Sequence, residues 1–234
     1  MNKIVFDIET AGERFEDMDP TSQELLETRF RRRAKDEKEL VDARDSLSFF
    51  AETAQIVAIG MLNPDTGKGA VYYQGQETPP FFENEIQYVP CSLEKTVIEH
   101  FWENCLSYDE YITFNGRTFD IPVLMIRSAV NNIRPARNLM LNRYLGSQQY
   151  ANYRHVDLFD QLSFDGARYG NTLGLHFWAR AFGISSPKDG ELTGEKVTEY
   201  FRQGRGLEIA KYCIQDVLAT AALYEKWDRY LRFL

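Results

Sequence analysis

Two acidic side chains interrupt an apolar run near the start of the chain, in the segment VFDIET of residues 5–10. Asp7 and Glu9 lie two positions apart, and in a β-strand such residues point to the same face. Carboxylates held side by side repel each other, and burying one without a partner is costly. A divalent cation between them removes the repulsion, because hard cations such as Mg2+ bind oxygen ligands. The alternative is an ordinary solvated pair at a strand end.

Two later stretches carry further acidic residues in suggestive positions. TFNGRTFDIPVL places Asp120 after a strand that ends at Asn115 and before an apolar helix, where an aspartate also commonly serves as the N-cap. YCIQDVLAT places Tyr212 and Asp216 four residues apart, on one face of the last predicted helix. Taken alone, this last pair is also compatible with a boundary aspartate beside a core tyrosine.

In this order, the three motifs resemble those of the DEDD superfamily of 3′→5′ exonucleases, in the branch that carries tyrosine in the third motif. They are similar to the proofreading exonuclease domains of family B DNA polymerases. The histidine branch would carry its histidine one position before Tyr212, where this chain has Lys211. The resemblance implies an α/β, ribonuclease H-like fold: a mixed sheet with its first three strands antiparallel and helices on both faces. We expect one exonuclease domain over residues 1–234, with residues 11–50 as a helical insertion.

The resemblance also implies the residues of the site and their chemistry. Metal ligands and catalytic acids would be Asp7, Glu9, Asp120 and Asp216, with Tyr212 beside the attacking water. Two divalent cations, Mg2+ or Mn2+, would stabilise the attacking and leaving oxygens of a phosphodiester and release 5′-mononucleotides. Because the reference pKa of tyrosine is about 10, we assign Tyr212 to orienting the water rather than to acting as a base.

Substrate contacts are predicted at Thr10, Asn115 and Phe119, which belong to or follow the first two motifs. Phe119 suits stacking on a base, and core packing is the alternative. Six arginines are candidates for following the phosphates: Arg117, Arg134, Arg137, Arg143, Arg154 and Arg168.

The predicted partner is single-stranded nucleic acid, DNA rather than RNA. The same residues are compatible with a 3′→5′ exoribonuclease, and a nucleic-acid-binding module without turnover is the alternative from another class. A polymerase or repair partner acting in trans fits the resemblance, although no sequence feature demonstrates one.

The composition limits the classes of function. The chain has 234 residues with a formal net charge of −8, which argues against coating nucleic acid by bulk electrostatics and is compatible with an acidic pocket neutralised by cations. Its three cysteines are far apart and lack C-x-x-C spacing, which indicates reduced thiols. With no apolar run of membrane-spanning length and no signal-peptide pattern, we expect a cytoplasmic location and no membrane partner.

Hydrophobic periodicity predicts the elements that position these residues. We expect strands over 3–8, 54–63, 111–115 and 155–160, a hairpin strand within 67–75, and an irregular segment over 78–90. We expect helices in 11–50 (capped by Asp19 or Thr21), over 92–108 (capped by Ser92), 121–131, 173–182 and 197–203, and over 207–230 at the end.

Overall fold

The computed structural model describes residues 1–144, 151–168, 173–185 and 192–233. Its strands are β1 (Lys3–Gly12), β2 (Ala54–Leu62), β3 (Gly69–Gln74), β4 (Phe81–Glu83), β5 (Ile86–Cys91), β6 (Glu110–Thr113) and β7 (Arg154–Asp157). They form one sheet in the order β4-β5-β3-β2-β1-β6-β7. Strand β1, which carries the first motif, therefore lies well inside the sheet.

The helices connect these strands or precede them. They are α1 (Pro20–Arg31), α2 (Glu37–Asp45), α3 (Glu94–Cys105), α4 (Asp120–Val130), α5 (Leu158–Leu162), α6 (Leu175–Ala181), α7 (Val197–Arg202) and α8 (Gly206–Tyr230). Short 3-10 helices span Phe15–Asp17, Ser46–Phe49 and Gly194–Lys196. None of the helices within the described ranges combines the length and the apolar character needed to cross a bilayer.

The pairing of the strands confirms the predicted mixed sheet. Strand β1 is antiparallel to β2, and β2 is antiparallel to β3, whereas β1 and β6 are parallel. On β1, Ile4, Phe6 and Ile8 belong to one core and Val5 belongs to the other. Helices α3 and α4 pack in the first core, and α7 and α8 pack in the second, so helices cover both faces of the sheet.

The helical segment between β1 and β2 starts later than predicted, because β1 stays paired with β2 as far as Gly12, with a shift in register between Glu9 and Thr10. Asp19 caps α1, since its Oδ1 accepts the backbone N–H groups of Thr21 and Ser22. The segment has a small apolar core of its own, centred on Phe30, Leu40 and Leu47. It therefore packs as a compact unit against the end of β1.

Two local predictions are wrong. The segment 78–90 is not irregular, since it contains β4 and most of β5, which form an antiparallel hairpin; β5 also pairs in parallel with β3. Helix α3 does not start at Ser92: its N-cap is Leu93, without a side-chain cap. The buried Glu94 instead accepts the backbone N–H of Ile56 at 2.8 Å and pairs with Arg127 at 2.7 Å. Tertiary contacts, rather than a local cap, determine where this helix begins.

A buried carboxylate fastens the end of α8 to the sheet. Glu110 of β6 is fully buried and forms ion pairs with Arg154 and with Arg232, the latter at 3.0 Å. The hydroxyl of Tyr224, on α8, donates to the same carboxylate. Helix α8, which carries the third motif, is thereby held against β6.

Candidate active site

The first motif faces α8 from the middle of the sheet. Asp7 pairs with Gly60 of β2, and a Cβ at Gly60 would lie 3.0 Å from Val217 and 3.1 Å from the Sγ of Cys213. The missing side chain at Gly60 therefore lets α8 approach the strand that carries Asp7. Glu9, two residues further along the same face, is buried.

The second motif joins the start of α4 to β1. Phe119 is the N-cap of α4, and Asp120 is its first residue. The carboxylate of Asp120 does not cap the helix through its side chain; it accepts the backbone N–H of Ile8 at 3.2 Å. This bond is buried and places Asp120 beside the peptide between the two acids of the first motif.

Asp157, at the end of β7, holds the turn before α4. Its two carboxylate oxygens accept the backbone N–H groups of Asn115 at 2.7 Å and Arg117 at 2.9 Å. Asn115 itself has a φ of 64°, in the left-handed region that asparagine tolerates better than most residues. The turn that presents Asn115 and Phe119 is thus fixed by a neighbouring strand.

The third motif lies on α8. Burial and the carboxylates of Asp216, Glu9 and Asp7 raise the pKa of Tyr212, and its hydroxyl is hydrogen-bonded to Asp216. At neutral pH this hydroxyl is therefore protonated and acts as a donor. The sequence analysis missed Cys213, whose Sγ lies 3.5 Å from the carbonyl oxygen of Asp7. The position of Cys213 in the third motif, between Tyr212 and Asp216, could have indicated that it lies near the site.

A cleft of about 400 Å³ brings the three motifs together. The predicted residues that line it are Asp7, Asn115, Phe119, Asp120, Tyr212 and Asp216. The sequence analysis did not assign the other lining residues to the site. Ile8 and Phe114 lie within the first two motifs, whereas the fold brings Phe49, Leu175 and His176 from separate elements. Thr10 is buried, and its hydroxyl donates to the carbonyl of Ser48 at 2.7 Å, so its side chain serves the packing of the loop.

The acids of the cleft repel one another. The pKa values of Asp7 and Glu9 are raised well above their ordinary range, first by burial and then by neighbouring carboxylates that include Asp120 and Asp216. Burial also raises the pKa of Asp120 to about 7, although two backbone N–H groups oppose the shift. Such a concentration of raised carboxyl pKa values in a cleft is typical of a functional site.

The donor set fits hard divalent cations. Ligand atoms of Asp7, Glu9 and Cys213 lie within 4.8 Å of one another, and the charges of Asp120 and Asp216 act on both acids of that group. Carboxylate oxygens are the ligands that Mg2+ and Mn2+ prefer. A bound cation would replace the repulsion among these acids with attraction.

The metal-free protein is expected to become less stable as the pH rises from about 4 to about 7. Because the pKa of Asp120 rises from 3.8 to about 7 on folding, the folded state binds more protons than the unfolded state in this window. The stabilisation is complete below the lower pKa and is lost above the higher one. In chelator, we expect the free energy of unfolding to be about 2 to 4 kcal/mol lower at about pH 8 than at about pH 5.

Thermal unfolding with and without Mn2+ measures this effect. The cation should raise Tm more at about pH 8 than at about pH 5, because ionised carboxylates bind it without losing a proton. A metal-free Tm that is equal or higher at the alkaline pH contradicts a repulsive acidic cluster.

Contacts within the protein engage several of the candidate arginines. Arg117 is buried and donates to the carbonyl groups of Met140 and Leu141, so its assignment to the phosphates is wrong. Three others make these contacts: Arg137 with the carbonyl of Tyr108, Arg143 with Asp160, and Arg154 with Glu110. These arginines stabilise the fold around the cleft.

The mixed sheet and its covering helices define a ribonuclease H-like α/β fold of the kind found in exonuclease domains. Residues 51–232 match a family described as "Predicted 3'-5' exonuclease related to the exonuclease domain of PolB", and the chain belongs to this family. The match includes Asp120, Tyr212 and Asp216 and begins after the first motif and the helical segment.

Among solved structures, the chain is similar to the family B DNA polymerase from the hyperthermophilic archaeon Pyrobaculum calidifontis. The similarity has a TM-score of 0.58 at 18% identity and covers 97% of this chain. It covers 24% of the polymerase chain, so this chain corresponds to about a quarter of that protein. At this identity the similarity shows the fold. No curated protein matches the chain.

Proposed function

We propose that the protein is a metal-dependent 3′→5′ exonuclease that removes 5′-mononucleotides from the 3′ end of single-stranded DNA. The observation that carries the proposal is the convergence of Asp7, Asp120, Tyr212 and Asp216 on one cleft, with Glu9 buried beside them. These residues come from β1, α4 and α8, and the family relationship supports the reaction type.

The four carboxylates would hold two divalent cations, Mg2+ or Mn2+. When bound, the cations supply charge neutralisation at the attacking and leaving oxygens and lower the pKa of a bound water. Asp120 is kept in place by the N–H of Ile8, so the ligand set is organised before metal binding. The side chain of Glu9 is buried, so bulk water has little access to its carboxylate.

Tyr212 would orient the water that attacks the phosphorus. Its raised pKa keeps the hydroxyl protonated, and its bond to Asp216 sets the direction of the ring. A protonated phenol cannot take a proton from water, so its contribution is positional. Asn115, which lines the cleft, would contact the terminal nucleotide through its side-chain amide.

An exoribonuclease with the same site is the second candidate, since the carboxylates act on the phosphodiester in both polymers. A protein that binds nucleic acid without turnover is the third. Sensitivity to a 2′-hydroxyl separates the first two, and the presence of turnover separates both from the third.

The test uses 5′-labelled single-stranded DNA and RNA of the same sequence, with Mg2+, Mn2+ or chelator. We expect a ladder that shortens from the 3′ end, faster with DNA, and absent with chelator or with Asp7→Ala. Faster shortening of RNA than of DNA would instead support the exoribonuclease. No shortening of either polymer with any metal contradicts the proposal.

Replacing Tyr212 with phenylalanine should lower kcat about 10- to 100-fold, the effect of losing one hydrogen bond to a charged or polarised partner. Calorimetric affinity for Mn2+ should not change, because the hydroxyl is not a predicted ligand. Tyr230→Phe, at the exposed end of the same helix, is the matched control and should keep full activity. A normal kcat for Tyr212→Phe overturns the assigned role.

A further inference from the structure

An exposed aromatic ring from the helical segment faces the acidic cleft. Phe49, at the end of the 3-10 helix Ser46–Phe49, lines the cleft and has 54% of its surface exposed. Its ring meets the ring of Phe119 in an edge contact, with centroids 6.1 Å apart and planes at 60°. The two rings form an apolar corner beside the carboxylates.

The backbone that carries Phe49 is fastened to the site. The hydroxyl of Thr10, the residue after Glu9, donates to the carbonyl of Ser48 at 2.7 Å. Leu47 is buried in the core of the helical segment, and its carbonyl accepts the hydroxyl of Thr53 at 2.8 Å. The ring of Phe49 is therefore held at a defined position relative to the first motif.

A close approach between β1 and this loop sets the same position. A Cβ at Gly12 would lie 2.6 Å from the backbone nitrogen of Ser48 and 2.9 Å from the carbonyl carbon of Leu47. Only glycine allows the two backbones to meet at this distance. The loop thus packs against the end of the strand that carries Asp7 and Glu9.

We propose that Phe49 positions the 3′-terminal nucleotide of the substrate by stacking on its base, with Phe119 as the adjoining wall. This inference rests on the proposed function. It assigns to Phe49 the restriction of the exonuclease to 3′ ends with an unpaired base. A phenyl ring offers no hydrogen-bonding group, so every base can stack on it. A terminal base that is still paired cannot occupy the corner.

Because Phe49 belongs to the helical segment between β1 and β2, the proposed stacking contact comes from that segment. The family match begins at residue 51, two residues after Phe49. The segment thus supplies a wall of the substrate cleft, in addition to packing against β1.

The test compares Phe49→Ala with the wild-type protein on two labelled single strands, one ending in a normal nucleotide and one in an abasic nucleotide. Base stacking is worth about 1 to 3 kcal/mol, so kcat/KM on the normal strand should fall about 5- to 150-fold. On the abasic strand the two proteins should be equal within about twofold, because no base remains to stack. Phe49→Trp should retain the activity of the wild-type protein.

Two controls separate this inference from the proposed function. Phe82→Ala removes a ring of similar exposure on β4, outside the cleft, and should change nothing. Calorimetric binding of Mn2+ requires the metal site without any base, and should be equal in Phe49→Ala and wild type. If the wild-type protein shortens no strand with any metal, the proposed function fails.

The stacking role has a readout that needs no turnover. Fluorescence anisotropy with labelled oligo(dT) in Ca2+ should show weaker binding by Phe49→Ala, by a factor of the same order, even if the protein hydrolyses nothing. Equal binding by the two proteins overturns the inference. An equal loss of kcat/KM on the normal and abasic strands also overturns it, since that result indicates a structural role.

Discussion

Replacing Asp7 with asparagine is expected to abolish hydrolysis while making the metal-free protein more stable. Burial raises the pKa of Asp7, and the charges of Asp120, Glu9 and Asp216 raise it further. Removing one carboxyl group from this cluster relieves the repulsion and should raise the free energy of unfolding. Removing one metal ligand costs several kcal/mol of transition-state stabilisation, or at least about 1,000-fold in kcat/KM.

Two measurements report the two effects of this substitution: unfolding in chelator at about pH 8, above the pKa of about 7 for Asp120, and a ladder assay with Mn2+. The stabilisation by Mn2+ that we expect for the wild-type protein should be smaller or absent in Asp7→Asn. Asp17→Asn, which changes an exposed aspartate of the 3-10 helix Phe15–Asp17, should leave both measurements unchanged. A variant that loses both stability and activity would indicate that Asp7 is a structural residue.

Of the substitutions proposed for this protein, Glu110→Ala is expected to lower the free energy of unfolding the most. The carboxylate is fully buried, pairs with Arg154 and Arg232, and accepts the hydroxyl of Tyr224. Breaking a buried ion pair by removing one partner costs about 3 to 5 kcal/mol, because the remaining charges lose their compensation. Chemical denaturation at neutral pH measures the change in the free energy of unfolding.

Glu83→Ala is the matched control for Glu110→Ala. It breaks the ion pair of Glu83 with Lys211, in which both side chains are about half exposed, and should change the free energy of unfolding by less than about 1 kcal/mol. Folded Glu110→Ala should bind Mn2+ with unchanged affinity, because Glu110 is not among the cleft residues. A loss of less than about 1 kcal/mol for Glu110→Ala contradicts its role in fastening α8.

The acidic pair on β1 and the helical faces of the third motif were predictable because they depend on local periodicity. Alternation along residues 4–9 separates Asp7 and Glu9 from Ile4, Phe6 and Ile8, and a spacing of four places Tyr212 over Asp216. The mixed sheet followed from the resemblance of the motifs rather than from the strand patterns alone. That Asp120 meets the N–H of Ile8 depends on contact across 112 residues, which no local pattern encodes.

The features that the sequence analysis missed depend on non-local pairing. Strand β5 pairs in parallel with β3, beyond its local hairpin with β4, although it contains Pro90, which lacks a backbone N–H and weakens the local strand pattern. Helix α3 begins at Glu94 because that side chain bonds to β2 and to Arg127, whereas Ser92 had the better capping residue type. Phe49 reaches the cleft only because its loop packs against β1, so its amino-acid type gave no signal.

Calorimetric titration of Mn2+ into the metal-free protein, beside Asp120→Asn, tests most directly that these carboxylates form a divalent-cation centre. Asp120 is the first residue of α4, is hydrogen-bonded to β1 and has a pKa raised to about 7. Its replacement therefore removes a predicted ligand without removing an apolar side chain from either core. The account predicts two bound cations per wild-type chain and the loss of at least one in the variant. No binding to the wild-type protein, or equal binding to both proteins, would contradict it.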